Sequence, residues 1–230
     1  MGPERGVFVT ATDTGAGKTV ASLGLMAALS GDGRRVAGMK PVASGSRPGE
    51  SGELRNEDAL LLQMAGPAGI PYADINPYAL REPLAPHLAA ERQGVRIGLE
   101  SIAAAFARLR ACAEAVVVEG VGGWRVPLND VETTADLVRR LELPVILVVG
   151  LRLGCISHAL LTAEAIANDG LELRGWIANH LDPDYQEAAA TVEFLGSRLG
   201  VPRIGSIPRL AAPSAGPVAR CLDTGLLARR

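Results

Sequence analysis

Ala11-Thr12-Asp13-Thr14-Gly15-Ala16-Gly17-Lys18-Thr19, directly after the apolar run Gly6-Val7-Phe8-Val9-Thr10, is the stretch from which the rest of the chain is read. A strand ending in a small-residue turn, then Gly-Lys-Thr, then a helix-forming run, has the layout of a phosphate-binding P-loop. Small residues let the backbone N–H groups from Gly15 through Ala16 and Gly17 to Val20 curve around phosphate oxygens. The helix that follows turns its positive end toward the same anion. In this layout Lys18 reaches the β- and γ-phosphates of a nucleotide and the Thr19 hydroxyl ligates Mg²⁺. One position departs: Ala11 stands where the pattern has its first glycine, and alanine does not tolerate positive φ as glycine does.

At 230 residues, the chain is expected to form one α/β domain over residues 1–230. Hydrophobic residues make up 48% and aromatics only 3%, so the core must be Val, Leu, Ile and Ala, as in parallel sheets buried on both faces. A formal net charge of −2 gives no electrostatic reason to expect nucleic acid or an anionic membrane as partner. Three cysteines (Cys112, Cys155, Cys221) are odd in number and widely spaced, which reads as reduced thiols in a cytoplasmic protein. The opening Met1-Gly2-Pro3-Glu4-Arg5 lacks an apolar signal segment, and no run of ~18 apolar residues follows, so a soluble protein is expected.

Apolar, β-branched runs at 6–10, 35–39, 115–118, 145–150, 175–178 and 203–205 read as strands. Between them, helical patterns occupy 18–30, 56–65, 99–113, 134–141, 157–168 and 185–199. Such alternation predicts right-handed βαβ crossovers and a mostly parallel sheet with helices on both faces, the three-layer P-loop NTPase-like sandwich. Residues 66–98, with five prolines, read as an irregular segment that is functional or wraps a partner, and 44–52 as a mobile loop. Ligands of open parallel sheets bind beyond the carboxyl ends of the strands. That edge gathers the P-loop, Lys40 to Ser46, Glu119 to Trp124, and Asn179.

Ala115-Val116-Val117-Val118-Glu119 is an apolar strand ending in a carboxylate, the pattern of a Mg²⁺-holding Walker B element. Asp58 is a second carboxylate, at the start of a helix, where simple complementarity to the helix dipole explains it equally well. Lys40, at a strand end, suits charge neutralisation on a carboxylate or phosphoryl group in transit; a solvated lysine is the plain alternative. His87, His158 and His180 are too dispersed for a metal site. Cys155 ahead of a helix could be an acidified, reactive thiol; the more economical expectation is that the backbone N–H groups of Gly154 to Ile156 bind an anion, with Cys155 filling space.

Together these segments resemble the dethiobiotin synthetase family. The resemblance rests on Thr10-Ala11-Thr12-Asp13-Thr14 with Gly17-Lys18-Thr19, on Lys40-Pro41-Val42-Ala43-Ser44-Gly45, and on Asn56-Glu57-Asp58. It continues through Asn76-Pro77-Tyr78, Glu119-Gly120-Val121-Gly122-Gly123-Trp124, Leu153-Gly154-Cys155-Ile156 and Gly175-Trp176-Ile177-Ala178-Asn179. It implies an ATP- and Mg²⁺-dependent ligase that closes the ureido ring of dethiobiotin from 7,8-diaminononanoate and CO₂, through a carbamate and a carbamic–phosphoric anhydride. Thr19, Asp58 and Glu119 would hold Mg²⁺, and Lys18 and Lys40 would flank the carbamate, which Thr14 and Ser44 would hydrogen-bond. Gly120, Val121 and Gly122 would border the nucleotide. Asn179 would read adenine, with Pro208, Arg209 and Leu210 lining the base. Gly154, Cys155 and Ile156 would hold the far carboxylate of substrate bound to a second subunit, which implies a homodimer. Relatives often carry Gly at Ala11, Glu at Gly15 and an acidic residue at His180.

Two rivals share the nucleotide fold. A chromosome-partitioning or division-site switch ATPase would carry a signature lysine early in the P-loop, and Asp13-Thr14-Gly15 has none. It would also use a basic surface or a terminal amphipathic helix, for which 226–230 is too short. A cobyrinate-synthase type amidotransferase would need a glutaminase domain for which the chain has no room. A non-enzymatic dimeric scaffold would need no Lys40, Ser44 and Glu119 at strand ends.

Overall fold

The computed structural model describes residues 6–31, 33–210 and 214–227. The expectations that concern residues 1–5 and 228–230 lie outside them. In chain order the elements are β1 (Gly6–Ala11), α1 (Lys18–Leu29), β2 (Val36–Met39), β3 (Val42–Ala43), β4 (Arg47–Pro48), β5 (Leu54–Arg55), α2 (Glu57–Ala65), α3 (Tyr72–Ile75), β6 (Tyr78–Ala79) and α4 (Pro86–Gln93). They continue as α5 (Leu99–Cys112), β7 (Ala115–Glu119), α6 (Thr134–Leu141), β8 (Val145–Leu151), α7 (Cys155–Asn168), β9 (Leu173–His180), α8 (Ala188–Arg198), β10 (Arg203–Ile207) and α9 (Ala215–Ala219), ending in a short 3-10 turn at Thr224–Leu227.

Six strands form one sheet in the order β10-β9-β8-β1-β7-β2, every neighbouring pair parallel. These are the six strand runs visible in the sequence, and the P-loop NTPase-like sandwich is the fold observed. Strand β8 shows why its sequence is apolar throughout. Ile146 and Val148 pack into the larger core cluster, whereas Leu147, Val149 and Leu151 pack into a second one with Cys155, Ala159, Val192 and Leu195 of α7 and α8. A strand buried on both faces has no polar side to alternate with.

Two expectations change. The segment 44–52 is not an open loop: Arg47–Pro48 pairs antiparallel with Leu54–Arg55, closing a hairpin through Gly52 at φ 87°. Residues 66–98 contain α3, β6 and α4, and β6 pairs parallel with β3, so this segment extends the cleft wall. Pro86 opens α4 at its first turn, and Gly94 closes it at φ 69°, the usual proline-in, glycine-out asymmetry.

Candidate active site

The P-loop joins β1 to α1. Ala11 is the last strand residue, fully buried and paired with Val148, so the missing first glycine costs no backbone strain. The left-handed positions are Gly15 and Gly17, at φ 78° and 90°. At Gly17 there is also no room, since a Cβ would stand 1.9 Å from Asn179 Nδ2. That amide donates to the Ala16 carbonyl at 2.9 Å, so Asn179 of β9 braces the loop from below.

Lys18, Thr19, Lys40, Asp58 and Glu119 converge in a cleft of about 1010 Å³. Its wall also includes Thr14, Ser44, Val121 and Gly122, together with Pro83 to Pro86 from the turn before α4. Lys40 Nζ donates to Glu119 Oε1 at 2.5 Å and to the Gly120 carbonyl at 3.2 Å, and lies 3.3 Å from Asp58 Oδ2. The Thr19 hydroxyl donates to the same Glu119 Oε1 at 2.9 Å. Lys18 Nζ donates to the Gly122 carbonyl at 2.6 Å and to the Asp13 carbonyl at 3.1 Å. Trp124 anchors the loop that presents Gly122, its indole N–H donating to Asp169 Oδ2 at 2.8 Å.

The two ammonium groups have opposite electrostatic settings. Burial lowers the Lys18 pKa to about 8, helped by the like charge of Lys40. Burial acts against Lys40 too, but Glu119 and Asp58 outweigh it and raise its pKa. Three buried oxygens facing this region have no partner: Asp13 Oδ1, Ser44 Oγ and Glu119 Oε2. An unsatisfied buried carboxylate oxygen is costly, and a cation or hydrogen-bond donor from a ligand would satisfy it. Among the described residues no three His, Cys, Asp or Glu side chains gather as a metal cluster. Two carboxylates and a hydroxyl fit a Mg²⁺ that arrives on phosphates and keeps several waters.

A second cavity of about 210 Å³ continues from the P-loop past Val20 and is lined by Gly17, Asn179, His180, Pro208, Arg209 and Leu210. His180 Nε2 pairs with Ser206 Oγ at 3.0 Å on its outer side. The Gly154-Cys155-Ile156 turn lines neither cavity. Gly154 caps α7 at φ 92°, and Cys155 is buried in the second core cluster, filling space.

Residues 5–215 match a family model for an AAA domain. The chain is 56% identical to the ATP-dependent dethiobiotin synthetase BioD of Xanthomonas oryzae pv. oryzae over 201 residues, covering 87% of this chain and 89% of that protein. It is 50% identical to the enzyme of the same name from Aromatoleum aromaticum, covering 96% of this chain and 98% of that one. The chain belongs to the dethiobiotin synthetase family. Solved structures add the fold alone: the MinC:MinD cell division complex of Aquifex aeolicus (TM-score 0.58, 14% identity, 96% of this chain and 88% of that one). A ParA family ATPase of Chlorobium tepidum superposes similarly (TM-score 0.57, 12% identity, 97% and 99%). The partitioning-type rival thus shares the architecture but little of the sequence.

Two features of this dethiobiotin synthetase family member escaped the motif-by-motif reading. Of 23 Lys and Arg residues, Lys18 and Lys40 are the only lysines. Every other basic position is arginine, and both compact, flexible ammonium groups sit in the cleft. That count alone argues against a solvated Lys40, which is 5% exposed. The other is Arg152, which follows β8 and ion-pairs with Asp13 of the P-loop. An Arg-Leu-Gly sequence before a helix gives no local signal for a partner 139 residues away.

Proposed function

We propose that this protein makes dethiobiotin from 7,8-diaminononanoate, CO₂ and ATP, releasing ADP and phosphate. The observation that carries the reading is the meeting of the chain's two lysines with Thr19, Asp58 and Glu119, beside the unpartnered Ser44 Oγ. The P-loop N–H groups from Gly15 to Val20 cradle the phosphates, and Lys18 leaves the Gly122 carbonyl to neutralise the γ-phosphoryl. Thr19, Asp58 and Glu119 would hold a Mg²⁺, which would supply charge neutralisation at the phosphates. Lys40, held at 2.5 Å from Glu119 and 3.3 Å from Asp58, is placed to pair with the carbamate formed when a substrate amine adds to CO₂. Thr14 and Ser44 orient the carbamate by hydrogen bonds.

The carbamate oxygen then attacks the γ-phosphorus and ADP leaves. The second amine attacks the anhydride carbon, and phosphate leaves as the ring closes. The chain supplies no nucleophile, only position and charge. Asn179 and the Pro208-Arg209-Leu210 wall receive adenine in the smaller cavity. One P-loop domain carries this chemistry. We further propose a homodimer, in which the partner's Gly154, Cys155 and Ile156 backbone holds the distant carboxylate of the substrate. A cytoplasmic location accords with the three free cysteines and a small-molecule biosynthetic role. Among the described residues no helix is long and apolar enough to cross a membrane.

The test is phosphate release from Mg·ATP and bicarbonate, with and without the diamine, with the ring-closed product followed by mass. Diamine-dependent release matched by product is expected. Hydrolysis indifferent to the diamine would overturn the reading in favour of a switch ATPase.

A further inference from the structure

Behind the cleft, Lys40 and Asp58 are tied to one another by a closed ring of contacts. The Lys40 peptide is gripped on both sides: its N–H donates to the Ile75 carbonyl at 2.7 Å, and its carbonyl accepts from Asn76 Nδ2 at 2.7 Å. Asn76 Oδ1 accepts from the Tyr72 hydroxyl at 2.9 Å, and that hydroxyl accepts from the Asn56 N–H at 2.8 Å. The Asn56 side chain caps α2, accepting from the Ala59 N–H at 3.2 Å, and so fixes the helical turn that carries Asp58. Asp58 closes the ring on Lys40 Nζ at 3.3 Å. Neither Tyr72 nor Asn76 lines the cleft.

We propose that Tyr72 is a positioning residue whose hydroxyl sets the spacing between the Lys40 ammonium and the Asp58 carboxylate. This rests on the roles given to Lys40 and Asp58 above. The chemistry of the group suits the task. One hydroxyl donates to Asn76 and accepts from Asn56 at once, which phenylalanine can do for neither. Its ring is held in register by the Arg55 guanidinium, 4.0 Å from the ring centroid. Lys40 carries its charge on a flexible four-carbon stem, so where its backbone is clamped decides where the ammonium can reach. Asn76 is 3% exposed, so its polar atoms have no water to fall back on when the hydroxyl is lost. The ring therefore carries a positional constraint from α3 into a site that α3 does not enter.

The experiment is steady-state kinetics of Tyr72→Phe in the full chain, varying ATP, diamine and Mg²⁺ separately. A misplacement of ~1 Å costs up to ~100-fold in rate, and a partial shift here is expected to lower kcat by about tenfold. The KM for ATP should stay near the wild-type value, because the P-loop is untouched, while half-saturating Mg²⁺ rises several-fold. Asn76→Ala opens the same ring from its other side and carries the same expectation, so either variant serves if the other does not fold. The double variant should be little worse than the worse single one, since the ring is already open. A lowered melting temperature with kcat and Mg²⁺ dependence unchanged in both variants would make the ring purely structural and overturn the inference. Wild-type protein with no diamine-dependent phosphate release would instead overturn the functional reading on which it rests.

Discussion

Where β1, β2 and β7 end, Lys18, Thr19, Lys40, Asp58 and Glu119 belong to one connected cleft, whereas the turn between β8 and α7 contributes nothing to it. That turn is tied to the P-loop through Arg152 and Asp13. Beside it, Leu153 is 90% exposed and Leu161 of α7 is 61% exposed. The contrast separates groups that one chain brings together from a turn that only the proposed homodimer would bring to a site. The cleft side chains meet through close contacts at one sheet edge. At the α7 N-terminus the Cys155 N–H is already taken by the Arg152 carbonyl at 3.1 Å, and the exposed Leu153 and Leu161 are the side chains that the proposed homodimer would cover.

The largest effect expected is in the cleft. Lys18→Ala and Lys40→Ala each remove a preorganised charge from a water-poor site, which is worth about 3–4 kcal/mol of transition-state stabilisation. Product formation should fall by ~100-fold or more in each, and near-wild-type turnover in either would separate the cleft from the chemistry. At the turn before α7, Gly154→Val places a β-branched residue at φ 92°. It should raise the KM for the diamine about tenfold and leave that for ATP alone. Mixing Lys40→Ala with Gly154→Val subunits then sharpens the comparison. If the site is shared, random exchange assayed at diamine well below its KM should restore about a quarter of wild-type activity, because half of the dimers hold one intact site. No restoration would assign both regions to the same chain.

The smallest effect is on pH dependence. Lys18 titrates near pH 8 in the free protein, below the usual lysine value of 10.5, because it is buried and faces Lys40. Above pH 8 it loses its charge, so nucleotide affinity should fall, by up to about tenfold per pH unit. Binding near pH 8.5 should take up a proton, readable as a buffer-dependent heat in calorimetry. The folding consequence has the opposite sense: the unfolded chain holds the Lys18 proton up to 10.5, so stability rises with pH between 8 and 10.5 from this group. A nucleotide affinity that is flat from pH 7 to pH 9 would show that Lys18 keeps its proton in the free protein.

Much of this molecule announced itself locally. Lys18 and Thr19 follow an apolar strand and two glycines at fixed spacing, and each main-sheet strand contains one of the apolar runs read from the sequence. Other parts did not. The segment 66–98 looked irregular because its helices are only four and eight residues long, too short to show an apolar period. Pro86 and Gly94 were the available boundary signals. Asn76 stood in a segment shared with the family but without a role, and Tyr72 carried no signal, since their value lies in partners at positions 40 and 56.

The sequence by itself determined the strand, the glycine turn and the helix that make a phosphate cradle, because each depends on residues next to one another. It also concentrated the chain's entire lysine content at two positions. Tertiary structure decided which groups meet. Parallel pairing sets Met39 beside Val118 and Val9 beside Glu119. Lys40, the next residue after Met39, therefore reaches Glu119 across a sequence gap of 79 residues, while Thr19 reaches the same carboxylate across 100. No local pattern encodes those distances. They follow from strand order and register, which the whole core specifies by burying both faces of the sheet at once.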